Sequence, residues 1–229
     1  PNVSFEDTLR SCLMHHAYGE EPGHSTFYYP KRYGYGEVWL RMGSRLGRRL
    51  LCGKSATWID FETRHVGTQD GEVYQADVII TTVPWRSFQT VRGISEDMRA
   101  EIRNLKHSTV CIDYREENLN TDAQWIYYPD LELSYHRILV RHNFVQGSRG
   151  CWMETNMNRA PQTDGIRFVN EYAYPLNTLQ KPAIMERLLA HARECGIYGL
   201  GRWGEHSHYN SDVTVEKAME LADRLLRKN

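Results

Sequence analysis

The sequence predicts an α/β or α+β body in one piece, with an antiparallel sheet in its middle and a helix at its C-terminal end. Three observations carry this. Helical and strand periodicities alternate along the chain. The stretch 107–156 is rich in short alternating segments, the pattern of a half-buried antiparallel sheet. The Gly-rich stretch Gly199-Leu-Gly-Arg-Trp-Gly-Glu-His-Ser-His-Tyr-Asn-Ser-Asp212 passes from a short apolar segment into a last helical pattern. No repeat, low-complexity tract or linker divides the 229 residues.

Taken in order, Leu9, Leu13 and Ala17 recur every four residues, predicting a helix that ends before Pro22. Phe27 to Pro30 is extended, and Lys31 to Gly36 is a turn. It opens onto a helix over Glu37–Leu51 that carries Trp39, Met42, Leu46 and Leu50. Ser55–Asp60 and Arg64–Gln69 form a strand pair. The Asp70-Gly71 turn then leads into one strand over Val73–Val83, whose apolar part Val78–Val83 is expected to be buried on both faces. Ser95 caps a helix with Met98, Ile102 and Leu105 on one face. Thr109–Tyr114, Trp125–Tyr128, Arg137–Arg141 and Cys151–Glu154 build the antiparallel sheet, 157–164 is a loop, and Glu171–Pro175 is extended. A helix from Pro182 stops at Gly196, and Ile197–Leu200 is a strand. The last helix runs from Val213 to Arg227, capped by Asp212, with Val215, Met219, Ala222 and Leu226 facing inward.

Composition narrows the function classes. Hydrophobic content of 41% and charged content of 25% suit a globular protein with a sizeable core. A net charge of -1 offers no electrostatic footprint for nucleic acid or an anionic membrane. No apolar run approaches a membrane span, and no signal-peptide pattern is present. Five scattered cysteines without a CxxC pair point to reduced thiols and a cytoplasmic setting. HExxH, GxSxG, Walker A and a clustered Cys/His set are all missing, so no metal site is expected and no catalytic residue can be named. His206 and His208 lack a third ligand nearby. His15-His16 is a solvated helix end.

The glycines of 199–212 can serve tight turning or close approach to a ligand. Arg202 offers a planar fork of donors, and the helix that follows presents its N-terminus to electron-rich groups. Two readings stand side by side: a plain strand-to-helix loop, or one wall of a cofactor site. The 31–36 turn repeats the theme.

Six segments, in order, resemble UDP-galactopyranose mutase-like flavoproteins, which group with protoporphyrinogen-oxidase-like and amine-oxidase-like enzymes. Phe27-Tyr-Tyr-Pro-Lys-Arg-Tyr-Gly-Tyr-Gly-Glu-Val-Trp39 is similar to "YPKGGxGxIW", and Asp70-Gly71 through Ala76–Pro84 to "DG…YDxLISTMP". Gln124–Pro129 with Tyr135-His-Arg137 resembles "NWIYYPE…FYRVT", and Cys151–Thr155 occupies the place of the strand that follows. Glu171–Pro175 resembles "EYAYPVP". Gly201–Glu205 with Asn210 and Asp212 resembles "GRFGEWKYxNxD".

This resemblance implies part of a glutathione-reductase-like FAD-binding fold with an antiparallel substrate-binding sheet. Residues 27–90 and 197–229 would belong to the FAD domain and 91–196 to the substrate-binding portion. FAD is the implied cofactor. Gly34, Gly36, Gly201, Arg202, Asn210 and Asp212 would lie against it, while Tyr127, Arg137, Tyr174 and His208 would hold a substrate such as a nucleotide-sugar. In such mutases the cofactor performs the chemical step, and the protein orients it and neutralises the leaving diphosphate. The family's GxGxxG unit and Gly-Gly-His segment are not in this sequence. Tyr33 stands at the first glycine of the family's pair, and His206 and His208 replace an aromatic pair. Three arrangements therefore stay open: a separate FAD-binding polypeptide, a piece of a longer enzyme, or a binding module that has lost flavin.

Overall fold

The computed structural model describes residues 4–16 and 27–227. Ala17 and Pro22, on which the first helix's extent was argued, lie outside them. Helix α1 (Phe5–Met14) starts at Ser4, whose Oγ accepts from the Asp7 amide, and ends where His15 turns left-handed. Helix α2 (Tyr35–Ser44) begins two residues before the expected Glu37 and gives way to a 3-10 turn over Gly47–Arg49.

Strands β1 (Ala56–Asp60), β2 (His65–Thr68) and β3 (Val73–Gln75) form the expected antiparallel meander. Gly67 lets the Trp58 indole lie flat across it, since a Cβ there would sit 1.9 Å from the ring nitrogen. The single strand expected over Val73–Val83 is two: β4 (Ile79–Thr81) leaves the meander for another sheet. β5 (Thr90–Arg92) pairs in parallel with β1, completing a four-stranded sheet of order β3-β2-β1-β5. Ser95 caps α3 (Glu96–Asn104) through a bond from the Met98 amide, as its sequence predicts.

Five strands then make the antiparallel platform, in the order β10-β6-β9-β8-β7: β6 (His107–Arg115), β7 (Trp125–Tyr127), β8 (Tyr135–Val140), β9 (Cys151–Asn156) and β10 (Arg167–Pro175). The one-turn helix α4 (Arg141–Phe144) links β8 to β9. Helix α5 (Lys181–Glu194) delivers β11 (Ile197–Gly199), which pairs in parallel with β4 alone. The short α6 (Gly201–Gly204) and the long α7 (Ser211–Leu226) close the chain.

The core lies between the meander, α3, α5 and β11. Ile59, Phe61, Trp85, Leu105, Leu188 and Ile197 are fully buried in it. The Trp85 indole N–H donates to the Gly204 carbonyl at 2.8 Å, which satisfies its one polar atom inside the core. Truncating such a residue costs about 3–5 kcal/mol.

Three expectations are corrected. Asn210, not Asp212, is the N-cap of α7, and Asp212 falls in its first turn. Val78–Val83 is not buried on both faces. Val78 and Ile80 are 44% and 46% exposed, because the strand alternates and, among the described residues, only β11 flanks it. On α7 the stripe Val215, Met219, Ala222, Leu226 faces outward. Contact with α6 instead turns Thr214, Lys217, Ala218 and Leu221 toward the body.

Candidate functional site

Cross-strand neighbours share a sheet face. Register therefore places Tyr127 beside Arg137, and Arg137 beside Glu154. The bulge between Asn170 and Tyr174 in β10 adds Tyr174 to the same group. Arg137 is its centre. Its Nε donates to Glu154 Oε2 at 2.7 Å, one terminal nitrogen donates to the Tyr127 hydroxyl at 3.1 Å, and the other to the Tyr174 hydroxyl at 3.1 Å. That second nitrogen also lies 2.5 Å from Glu154. Burial works against the Arg137 charge, but the Glu154 carboxylate outweighs it and the guanidinium pKa stands above its ordinary value. Glu154 is 7% exposed, while Arg137 is half-buried.

Tyr174 also joins the sheet to the loop after α6. The His208 ring meets it edge-on at 5.2 Å, and the Arg202 guanidinium carbon sits 5.4 Å from its ring centre. The structure thus gathers Tyr127, Arg137, Tyr174, His208 and Arg202, which are up to 81 positions apart in sequence. Burial is the main influence lowering the His208 pKa, and Arg202 adds to it. A cleft of about 440 Å³ opens beside the cluster, lined by Ser108, Tyr128, Leu131, Tyr135, Asn156 and Tyr174 among others. Aromatic faces with scattered hydroxyls and amides suit a ring-bearing polar ligand.

Arg202 is occupied by backbone. Its Nε and one terminal nitrogen donate to the Tyr209 carbonyl, and the other terminal nitrogen donates to the Ala173 carbonyl at 3.2 Å. It therefore clamps the 205–210 loop onto β10. His206 is 3% exposed and bonds the Lys106 carbonyl at 3.1 Å. Burial pushes its pKa down to about 4, while that carbonyl acts the other way, so the ring is neutral and structural.

The anticipated cofactor residues meet at two helix N-termini. Gly34 caps α2 and Asn210 caps α7, neither with a side-chain hydrogen bond. The Tyr35 hydroxyl donates to Ser211 Oγ at 3.0 Å and ties the two ends together. Gly34 has φ +75°, and a Cβ there would approach the Tyr29 hydroxyl. A Cβ on Gly36 would meet nothing within 4 Å, so space is open over the start of α2. Asp212 is exposed in the first turn of α7. Gly201, with φ +73°, faces Thr214 of α7. Phe27, Tyr29, Tyr35 and Trp39 form an aromatic run that continues to Phe144 and Trp125 on the sheet. Both positive helix ends can receive an electron-rich ring edge or a phosphate, and the open floor at Gly36 leaves room for a flat group. These residues fit one wall of a flavin site.

Sequence reasoning missed Glu154 and Ser211, and it named Tyr35 only as part of the Gly34–Gly36 turn expected near the flavin. Alternation along Cys151–Thr155 could have placed Glu154 on a sheet face, but only strand register pairs it with Arg137. A smaller recess of about 150 Å³ between α5, β11 and α7 contains none of the anticipated residues. Among the described residues no group of three acidic, histidine or cysteine side chains is placed to hold a metal. None of their helices is long and apolar enough to cross a membrane.

No protein-family model and no curated protein matches the chain. Solved structures do. A reduced UDP-galactopyranose mutase superposes with TM-score 0.71 at 18% identity, over 88% of this chain and 52% of that one. A conjugated-linoleic-acid-producing fatty acid isomerase from P. acnes gives TM-score 0.62 at 15% identity, over 83% and 52%. The chain therefore has the fold of about half of each of these proteins.

Proposed function

We propose that this chain is the substrate-binding and FAD-capping portion of a flavin-dependent enzyme, either UDP-galactopyranose mutase-like or a related oxidoreductase. A second half, in a separate polypeptide or in the same one, would supply the phosphate-binding GxGxxG unit. On this reading 27–90 and 197–229 belong with the cofactor and 91–196 with the substrate. The observation that carries it is convergence. Tyr127, Arg137, Tyr174 and His208 meet on the sheet face, while Gly34, Gly36, Gly201, Asn210 and Asp212 meet at two joined helix ends. An aromatic run leads from the α2 end to Trp125 on β7, the strand that carries Tyr127.

Bound FAD would supply the reactive ring. The chain's own residues do the rest. The α2 and α7 N-termini stabilise the ring's electron-rich edge. Tyr127 and Tyr174 hold substrate oxygens, and the tyrosine-lined cleft orients the substrate's ring and excludes water from its buried side. Arg202 keeps the 205–210 loop in place so that Asn210 starts α7 beside Gly34.

Purification of the chain with and without a GxGxxG-bearing half tests this through the visible flavin absorbance. The expected result is a yellow complex that the chain alone does not give. If every assembled form is colourless and takes up no added FAD, the reading fails. Calorimetry with UDP-galactose on the isolated chain separates the flavin-free alternative, in which sugar-nucleotide binding survives with no flavin in any form.

A further inference from the structure

Resting on the substrate reading above, we propose that Glu154 is a positioning residue. It locks Arg137 so that the guanidinium aims the Tyr127 and Tyr174 hydroxyls at the ligand without touching the ligand itself. The ligand these hydroxyls fit presents a pair of oxygen acceptors, on a diphosphate or on a sugar.

A guanidinium carries five N–H groups. In Arg137 the Nε hydrogen goes to Glu154 at 2.7 Å. One terminal nitrogen faces both Glu154 at 2.5 Å and the Tyr174 hydroxyl at 3.1 Å, and the other gives a hydrogen to the Tyr127 hydroxyl at 3.1 Å. Four of the five are thus directed within the protein, and the charge is matched by a carboxylate that is almost wholly buried. Swinging Arg137 onto a ligand would strand that carboxylate, and a buried charge without its partner is strongly unfavourable. A phenol oxygen that accepts from a guanidinium must point its own hydrogen elsewhere, and accepting makes it a better donor. Tyr174 lines the cleft, and Tyr127 is more than half exposed at the sheet edge, so both outward hydrogens are available to a ligand. His136 lies 3.8 Å from the same Glu154 oxygen.

The test turns on a sign. UDP-galactose, UDP and methyl galactoside are titrated calorimetrically into the 229-residue chain and into its E154Q, Y127F and Y174F variants. Removing the Glu154 charge frees Arg137. If Arg137 only positions the tyrosines, E154Q weakens binding by about tenfold, the same as each Tyr→Phe change and equivalent to ~1.4 kcal/mol. Tighter UDP binding by E154Q would show direct contact by Arg137 and overturn the proposal. Should E154Q not fold, unchanged affinity in Y127F and Y174F would overturn it equally. Binding of methyl galactoside without UDP, or the reverse, assigns the acceptors to sugar or diphosphate. Absence of binding by any probe would sink the substrate reading. The positioning claim is then judged without ligand, by NMR of Cζ-labelled tyrosine. The Tyr127 and Tyr174 resonances are expected to move together in E154Q, and two unmoved resonances would contradict it.

Discussion

Arg202, in α6, and His206, in the loop that follows it, sit four positions apart, and both take roles that their side-chain chemistry alone does not announce. Arg202, whose donor fork suits an anion, spends those donors on the Tyr209 and Ala173 carbonyls. R202A should release the 205–210 loop and abolish flavin retention in the assembled protein while the far-UV spectrum is kept. A flavin-replete R202A would remove Arg202 from the account. His206 illustrates linkage. Its pKa is near 4 in the fold and near 6.5 as a free side chain, with burial as the main cause. Above the unfolded value both states hold a neutral ring and the full stability is present. As pH falls toward the folded value only the unfolded chain gains a proton, so stability drops by on the order of 3 kcal/mol from this group. Denaturant melts at pH 7 and pH 5 check this. H206N, which suits the residue's φ of +48°, should show a shallower loss than the wild type. Equal losses would reject the linkage.

Among the elements, the glycine-rich stretch shows what was legible and what was not. The sequence indicated a turn from strand to helix, and β11, α6 and α7 are there. The reason for the glycines required coordinates. A Cβ on Gly199 would sit 2.2 Å from the Gly204 carbonyl, and one on Gly204 would sit 2.2 Å from the Thr81 carbonyl, so β4, β11 and α6 pack backbone to backbone. G199A and G204A should each lower stability by about 1–3 kcal/mol, as overpacking does, whereas G36A should be nearly neutral. Unchanged melting of G204A would refute the close-packing argument. Strand periodicity and caps identified the β1–β2 pair, four strands of the platform, α3 and α5, because those signals are local; β10 was legible only as an extended stretch over Glu171–Pro175. The split of Val73–Val83 and the outward stripe of α7 were not legible. An alternating strand and a two-sided helix do not record which neighbour claims which face. The same limit hid Glu154, whose partnership with Arg137 depends on register between β8 and β9.

At the scale of the whole molecule, large apolar side chains are exposed on α2, on α7 and in the β4 region, as well as on β10. A two-stranded parallel sheet is unusual by itself, since parallel strands are ordinarily covered on both faces. Here Val78 and Ile80 of the β4 region are open, as are Leu40 and Met42 of α2 and Val215, Met219 and Leu226 of α7. Such surfaces call for a covering body. In the proposed function the FAD-binding half is that body. The central claim is that the α2 and α7 N-termini, with the open floor at Gly36, form this chain's wall of a flavin site. Its most direct test is the amount of FAD bound per chain in the assembled protein, wild type against Gly36→Phe. A Cβ on Gly36 meets nothing within 4 Å, so the backbone admits a side chain there, and the variant's own melting, measured alongside, should hold. The account predicts about one FAD per wild-type assembly, by the one-site reading of the cofactor wall, and a loss of more than tenfold in affinity with Gly36→Phe. Undiminished FAD binding by that variant would contradict it.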